Sequence, residues 1–309
     1  MGQGIRVNEV GPRDGLQNQG KTLSVSDRLA MIKTLVEAGL KSVEAGSFVS
    51  PKAVPQMAGT DEVFAALPFT ESVRYAALVP NMKGYELATA ASVSVANVVL
   101  SVTETMNQKN IRMSLDQTAE VCESIVRRGR QEGVEVQAYL AVAFGCPFEG
   151  KVDPAVVGKY AKQMQEAGAA KIIVADTIGA ANPTHVREVL ESVLAVVPAK
   201  SVSCHFHDTR GMALANILAS IDCGVREFDS SIGGLGGCPF SPGATGNVAT
   251  EDVVLMLESM GYDTGIRPLD LVPVVREIES LTGIQLGGKS FRWLAQQFDK
   301  QQRSSGHVG

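Results

Sequence analysis

The chain has 309 residues, of which 45% are apolar and 20% are charged, and this length and composition exclude an intrinsically disordered protein. Lys and Arg total 28 against 33 for Asp and Glu, so the net charge of −5 excludes the broadly basic surface of a typical nucleic-acid-binding protein. The five cysteines include no C-x-x-C motif, which excludes a disulfide framework and a zinc ribbon and favours a reducing, cytoplasmic location.

The uncharged stretches of the sequence do not predict membrane segments. Residues 230–250 contain many Gly and Pro residues, and residues 87–103 are interrupted by Thr, Ser and Asn, so neither stretch suits a spanning helix. The first residues carry neither a myristoylation pattern nor the apolar core of a signal peptide. We therefore expect neither a membrane nor a nucleic acid as a partner.

Short apolar, β-branched runs alternate with helical patterns along the chain. The predicted strands occupy residues 5–10, 42–45, 73–79, 96–102, 134–141, 171–175, 201–206 and 227–232. Apolar periodicity predicts helices between them, for example over residues 24–38, 153–167 and 214–223, each ending next to a glycine that can cap it. Eight strands each followed by a helix predict an α/β fold, the closed (β/α)8 TIM barrel.

The end of the chain adds helices beyond the barrel. An eighth outer helix is predicted over residues 249–260, and extra C-terminal helices over 269–282 and 290–302. No linker-like composition interrupts the chain, so we predict one TIM-barrel catalytic domain over residues 1–302 and a disordered tail over 303–309. A doubly wound open sheet is the alternative, but its phosphate-binding turn G-x-G-x-x-G is absent, since residues 11–15 read GPRDG.

Polar side chains recur at the carboxyl ends of the predicted strands, where (β/α)8 barrels carry their active sites. They are Arg13, Asp14, Glu44, Asp176, His205, His207, Cys238 and Asn247. Such repeated placement at one end of a barrel predicts an enzyme.

The pair His205 and His207 is the sharpest local motif. Side chains two positions apart on a strand point to the same face, so both imidazoles are expected to enter the barrel mouth. With Asp14 and the amide oxygen of Asn247 they offer two nitrogen and two oxygen ligands, a set typical of Mg2+ or Mn2+ that leaves zinc open. Two core or surface histidines without a metal are the alternative interpretation.

Several of these residues have structural alternatives. Asn247 or Thr245 could cap the helix that follows. Asp14 could form the turn before Gly15, and Arg13 could make a surface ion pair instead of an oxyanion clamp.

The roles of two carboxylates and one thiol also stay open. Glu44 and Asp176 could act in the chemistry or belong to a structural network at the barrel mouth. Cys238 lies in a Gly-rich loop that suits a closing lid, where a thiol can act as an acid or a nucleophile. A phosphate cradle is the alternative for this loop, although Pro239 and Pro242 stand where a helix would begin.

Four segments together carry a resemblance to a known family. They read NEVGPRDGLQN at 8–18, VEAGSFVSP at 43–51, GLGGCP at 234–239, and GATGN followed by TED at 243–252. Over roughly residues 5–285 the chain resembles 3-hydroxy-3-methylglutaryl-CoA (HMG-CoA) lyases, metal-dependent TIM-barrel enzymes of a wider group that includes isopropylmalate and homocitrate synthases.

The resemblance implies a retro-Claisen cleavage of HMG-CoA to acetyl-CoA and acetoacetate, with an acyl-CoA as the partner. We also expect a homo-oligomer, with a dimer as the first candidate. The implied metal ligands are Asp14, His205, His207 and Asn247. The resemblance also implies that Arg13 contacts the substrate, that Cys238 is the catalytic loop cysteine, and that Glu44 and Asp176 lie near the metal.

The sequence departs from the family at positions that bear on the substrate. Arg210 and Phe148 stand where tyrosine is common, and we predict that Arg210 binds a carboxylate or a CoA phosphate at the rim, unless it is merely solvated. A lyase of a related 3-hydroxyacyl-CoA is therefore an alternative function. Three other functions fit the sequence less well. A forward Claisen synthase would be expected to carry a further regulatory domain, and an amidohydrolase typically carries its H-x-H pair on the first strand. A barrel that serves only as a scaffold should have lost at least one of the metal-ligating residues, and none is missing.

Overall fold

The computed structural model describes residues 3–68, 72–237 and 246–305. Eight parallel strands pair in chain order, and β8 pairs with β1, so the sheet closes into a barrel. The strands are β1 (Arg6–Glu9), β2 (Ser42–Ser47), β3 (Arg74–Leu78), β4 (Val95–Ser101), β5 (Glu135–Ala141), β6 (Lys171–Asp176), β7 (Val202–Phe206) and β8 (Glu227–Ser230). The predicted (β/α)8 TIM barrel is confirmed, and the open sheet is excluded because a closed sheet has no edge strand.

Helices surround the barrel. Those in the described ranges are α1 (Val25–Glu37), α2 (Thr60–Ala66), α3 (Met82–Ala90), α4 (Glu104–Ile111), α5 (Leu115–Glu132), α6 (Pro154–Ala167), α7 (Pro183–Leu194), α8 (Ala213–Asp222), α9 (Thr250–Ser259), α10 (Leu271–Thr282) and α11 (Phe291–Ser305). Local chemistry fixes their starts, as in α1, where Ser24 and Asp27 form a reciprocal capping box. Within the described ranges, no helix combines the length and apolar character needed to cross a bilayer.

The C-terminal helices were predicted over 269–282 and 290–302, and the last of them ends three residues later in the structure. Helix α11 continues through Ser305, because the Ser304 hydroxyl donates to the carbonyl of Lys300 (3.1 Å) and a basic residue, Arg303, lies in the last turn. The rest of the predicted tail, residues 306–309, lies outside the described part of the chain.

Strand alternation decides which side chains enter the barrel. On β6, Ile172 and Val174 belong to the large core between strands and helices, whereas Ile173 and Ala175 pack with Tyr139 in a separate small cluster inside the barrel. This small apolar cluster therefore lies between charged residues at the strand starts, such as Lys171 and Glu227, and the polar residues at the carboxyl ends of the strands.

A buried carboxylate at the end of β1 supports the segment that follows β8. Glu9 accepts hydrogen bonds from the backbone N–H groups of Gly11 (2.8 Å) and Ile232 (3.0 Å) and from the hydroxyl of Thr250 (2.7 Å). Burial raises the pKa of Glu9 to about 7, although these hydrogen bonds act in the opposite direction.

Glu251, in the first turn of α9, supports the same segment from the other side. Its carboxylate accepts from the backbone N–H groups of Gly233 (2.9 Å) and Gly288 (2.6 Å), and burial raises its pKa to about 7 as well. Gly233 and Gly234 have positive φ angles of 63° and 68°, which a residue with a side chain rarely adopts. Two buried carboxylates thus anchor the first residues of the Gly-rich loop.

These carboxylates make the stability of the fold depend on pH. The pKa of Glu9 is higher in the folded protein (about 7) than its ordinary value of 4.5, so the folded state binds an extra proton between these values. The free energy of unfolding should therefore fall as pH rises through this window. Glu9→Gln removes this titration, so the free energy of unfolding of the variant should fall less with rising pH than that of the wild type. The difference should be on the order of 3 kcal/mol.

Urea unfolding of the wild type and of Glu9→Gln at pH 5 and pH 8 measures this difference. Glu37→Gln, which replaces an exposed glutamate at the end of α1, is the matched control and should leave the pH dependence unchanged. An equal loss of stability between pH 5 and pH 8 in the wild type and Glu9→Gln would contradict the prediction.

Candidate active site

Asp14, His205 and His207 converge at the carboxyl ends of β1 and β7. One potential ligand atom of each lies within 4.8 Å of those of the other two. Asp14 belongs to a π-helical turn, Gly11–Gly15, that begins just after β1. The two histidines occupy alternate positions at the end of β7, so both rings face the barrel mouth, as predicted. These three residues could hold a metal ion.

Asn247 joins this cluster through the backbone. It forms an antiparallel bridge with His207, and its Nδ2 donates to Oδ2 of Asp14 (2.8 Å). Helix α9 begins instead after Ala249, with no side-chain cap, so the capping alternative for Asn247 is wrong; Thr245 lies outside the described residues. The Asn247 Oδ1 is buried and accepts no hydrogen bond from the described residues. A metal ion would satisfy this oxygen.

Two glycines allow Asn247 to come this close. A Cβ at Gly246 would lie 2.6 Å from the carbonyl carbon of Gly236, and a Cβ at Gly236 would lie 2.9 Å from the Asn247 side chain. Only glycine fits at such a close approach of two backbone segments. The glycine pattern of the sequence therefore positions a polar side chain.

The electrostatics keep the carboxylate of Asp14 ionised. Burial alone would raise the pKa of Asp14, but the charge of Arg13 and the neighbouring His205 and His207 hold it well below its ordinary value. An anionic oxygen, two imidazoles and an amide oxygen fit a divalent cation by the chemistry of the donor set.

Arg13 lies beside the cluster in a fixed orientation. Its Nε donates to Oε2 of Glu44 (2.5 Å) and its Nη1 to Oδ1 of Asp14 (2.8 Å), while Nη2 makes no hydrogen bond to the described residues. Glu44 also accepts from Nδ2 of Asn97 (2.8 Å), and burial raises its pKa despite the opposing charge of Arg13. The side chain of Arg13 is only 7% exposed, so the surface ion-pair alternative is wrong.

A second carboxylate, missed by sequence reasoning, orients His205. Asp229 on β8 lies with its Oδ2 3.1 Å from Nδ1 of His205, and the same oxygen accepts from the hydroxyl of Tyr139 (2.8 Å). Asn8 donates to its other oxygen (3.1 Å). With Nδ1 engaged by a carboxylate, Nε2 of His205 is left for a metal, as in many metal-binding histidines. The available signal was a charged residue at an alternate position of a short barrel strand.

A cavity of about 450 Å³ opens in front of these groups. Its polar wall includes Arg13, Asp14, Tyr139, His205 and His207. The remaining lining contains an apolar group made of Val49, Val54, Leu78, Pro80, Met106 and Ile111. The cavity can therefore take a molecule with a polar, metal-binding end and an apolar substituent.

Four predicted site residues in the described structure do not line this cavity: Glu44 and Asn247, which instead contact Arg13 and Asp14, and Asp176 and Arg210. Asp176 is buried at the end of β6, where its two oxygens accept from the N–H groups of Ala180 (2.7 Å) and Ala181 (3.0 Å), and burial raises its pKa. Arg210 is exposed and donates from Nη1 to the carbonyl of Gly179 (2.9 Å). Cys238 lies outside the described residues.

The contact between Asp229 and His205 leads to a prediction. Asp229→Asn keeps the size of the side chain but removes the charge that orients the imidazole, so affinity for Mn2+ should fall by ~10–100-fold. Calorimetric titration of Mn2+ into the purified protein measures this affinity. Asp222→Asn, at an exposed ion pair with Arg187, is the control and should bind Mn2+ as the wild type does. Unchanged affinity in Asp229→Asn would rule out the orienting role.

Comparison with known proteins adds independent evidence. The hydroxymethylglutaryl-CoA lyase of Pseudomonas mevalonii is 46% identical over 85% of this chain and 88% of its own length. The 3-hydroxy-3-isohexenylglutaryl-CoA/hydroxymethylglutaryl-CoA lyase of Pseudomonas aeruginosa is 42% identical over 94% of this chain and 97% of its own. The crystal structure of hydroxymethylglutaryl-CoA lyase from Pseudomonas aeruginosa superposes with a TM-score of 0.92 and 41% identity, over 96% of this chain and 99% of that one.

The family assignment covers the barrel and its polar mouth. The family model described as HMGL-like matches residues 4–278, which include all eight strands and the residues of the metal cluster. On this match and on the relatives at 42–46% identity, the chain belongs to the HMGL-like family.

Proposed function

We propose that this protein is a divalent-metal-dependent lyase that cleaves HMG-CoA to acetyl-CoA and acetoacetate. The observation that carries the proposal is the convergence of Asp14, His205 and His207 beside the buried guanidinium of Arg13, in front of one cavity. The relatives that share the HMGL-like fold are named as hydroxymethylglutaryl-CoA lyases, which supports this substrate and reaction.

The metal, Mg2+ or Mn2+, would be held by Asp14, His205, His207 and Oδ1 of Asn247. Bound there, it supplies Lewis-acid polarisation of the tertiary hydroxyl and a fixed position for the substrate. The ionised state of Asp14 and the unpartnered Oδ1 of Asn247 support this ligand set.

Asp176 is the proposed acceptor of the hydroxyl proton. His205 is the other candidate, but its Nδ1 is engaged by Asp229 and its Nε2 faces the metal cluster. The raised pKa of Asp176 makes it a better base near neutral pH, and each oxygen that accepts a backbone N–H retains a second lone pair.

Arg13 is proposed to stabilise the charge that develops during cleavage. As the C2–C3 bond breaks, C3 becomes the ketone carbon of acetoacetate. The electron pair of the broken bond passes to C2 and the thioester oxygen. Nη2 of Arg13 is free of hydrogen bonds to the described residues, while Glu44 fixes the plane of the guanidinium. Glu44 therefore acts through Arg13.

Cys238 is proposed to protonate C2 of the resulting acetyl-CoA enolate. Asp176 then gives up the hydroxyl proton and the thiolate of Cys238 takes one up, by exchange with solvent, which restores both groups before the next turnover. This residue lies outside the described part of the chain, and its role rests on the resemblance of the loop sequence. The contact of Arg210 with substrate also stays a prediction, since the structure joins its guanidinium to the carbonyl of Gly179.

A longer substituent at C3 of the substrate is the second candidate. The apolar part of the cavity lining, which includes Leu78, Met106 and Ile111, favours it. One relative is named for both 3-hydroxy-3-isohexenylglutaryl-CoA and hydroxymethylglutaryl-CoA. Turnover of 3-alkenyl analogues of HMG-CoA distinguishes this candidate from the first.

The proposed reaction predicts equal amounts of acetyl-CoA and acetoacetate from HMG-CoA. Mass spectrometry of the products should show both with Mg2+ or Mn2+ present, and treatment with EDTA should abolish turnover until the metal is restored. His207→Ala should lower turnover by at least ~10–100-fold, because one ligand is lost. Full activity in demonstrably metal-free protein would contradict the metal requirement, and products only from longer 3-alkenyl substrates would select the second candidate.

The role of Cys238 is tested by substitution. Cys238→Ser should fold normally and bind Mn2+, but lose most of its turnover, because a serine hydroxyl is a much weaker acid than a thiol. Cys223→Ser is the matched control, at a partly buried thiol that follows the last residue of α8, and should keep full turnover. A thioester trapped on Cys238 during the reaction would show that the residue is a nucleophile instead.

A further inference from the structure

A second cavity lies at the opposite mouth of the barrel, where the strands begin. It has a volume of about 560 Å³. Residues just before or at the starts of β1, β2, β6, β7 and β8 contribute to its wall. Its size is within the range of sites for small molecules. None of the residues proposed for the lyase reaction lines it.

The lining of this amino-terminal cavity is unusually cationic for a chain with a net charge of −5. Its basic residues are Arg6, Lys41, Lys171, Lys200 and Arg226. The two carboxylates of the lining are Glu227 and Asp263, which leaves an excess of three positive charges in one cavity.

The internal contacts of the cavity neutralise only some of these cations. Nζ of Lys171 lies 2.6 Å from Oε2 of Glu227, and Nη1 of Arg6 lies 3.5 Å from the same oxygen. Lys41 and Lys200 make no side-chain hydrogen bond or ion pair with the described residues.

Arg226 is only partly satisfied as well. Its Nη1 donates to the backbone carbonyls of Ile221 (2.8 Å) and Val225 (2.7 Å), and its Nη2 donates to Oε1 of Gln3 (3.2 Å). Its Nε is buried without a hydrogen-bond partner among the described residues. Arg226 therefore has no carboxylate partner among the described residues, and its exposed Nη2 retains a second N–H that a ligand in the cavity could accept from.

We propose that the amino-terminal cavity is a binding site for a small dianionic oxyanion, a phosphate ester or a dicarboxylate. Such a ligand would neutralise most of the excess charge and would accept charge-assisted hydrogen bonds from Lys41, Lys200 and Arg226. The site lies at the other end of the barrel from the metal cluster and does not depend on the proposed lyase function.

Calorimetric titration of the full chain with saturating Mg2+ at pH 8 tests the site, with inorganic phosphate and succinate as the two probes. The double variant Lys41→Gln/Lys200→Gln should weaken binding by at least ~10-fold, since a hydrogen bond to a charged group contributes about 1.5–3 kcal/mol. Both lysines are exposed, so the variant should fold and keep its activity on HMG-CoA. The probe that binds more tightly identifies phosphate or carboxylate chemistry.

The matched control is Lys33→Gln/Lys162→Gln, which removes two exposed lysines of helices α1 and α6 and changes the net charge equally. It should alter the dissociation constants less than twofold. Equal weakening in both double variants would show a non-specific charge effect and overturn the proposal. Absence of binding to the wild type would also overturn the proposal. So would unchanged binding in Lys41→Gln/Lys200→Gln, because the anion would then bind at the catalytic mouth.

Discussion

The ionised carboxylate of Asp14 is the constraint on which the catalytic mouth depends. It lies between the guanidinium of Arg13 and the imidazoles of His205 and His207. Burial opposes its charge, so these neighbours must outweigh the loss of hydration for the carboxylate to remain ionised. The same negative charge that would suit a cation also holds the guanidinium of Arg13 in place, through the hydrogen bond from Nη1 to Oδ1 of Asp14.

Two of the groups around Asp14 are oriented by a residue from another strand, whereas Nδ1 of His207 is buried without a hydrogen-bond partner among the described residues. Glu44 on β2 fixes Arg13, and Asp229 on β8 fixes His205. Side chains that carry such partners lose little entropy when substrate arrives, which is the physical content of a preorganised site. The closed barrel makes this possible, since closure brings β8 next to β1 and all strand ends to one rim.

The two mouths of the barrel are joined by a polar path through its interior. Nδ2 of Asn8 lies 3.1 Å from both Oε1 of Glu227, at the amino-terminal cavity, and Oδ1 of Asp229, behind His205. This single amide therefore bridges two carboxylates that would otherwise face each other without a donor between them. The interior therefore contains polar side chains as well as an apolar layer, and the charged groups towards both ends are hydrogen-bonded by neighbouring side chains.

The sequence alone determined the eight strands, the surrounding helices and the convergence of the H-x-H pair with Asp14, because these follow from short-range periodicity and from the rule that strand ends share one rim. It also indicated Asn247, although it left a helix cap as an equal alternative. Only the tertiary structure revealed Asp229 as the partner of His205, and only it joined Arg210 to Gly179. Such contacts link residues far apart in the chain, and their geometry depends on strand register and loop path, which no local pattern encodes.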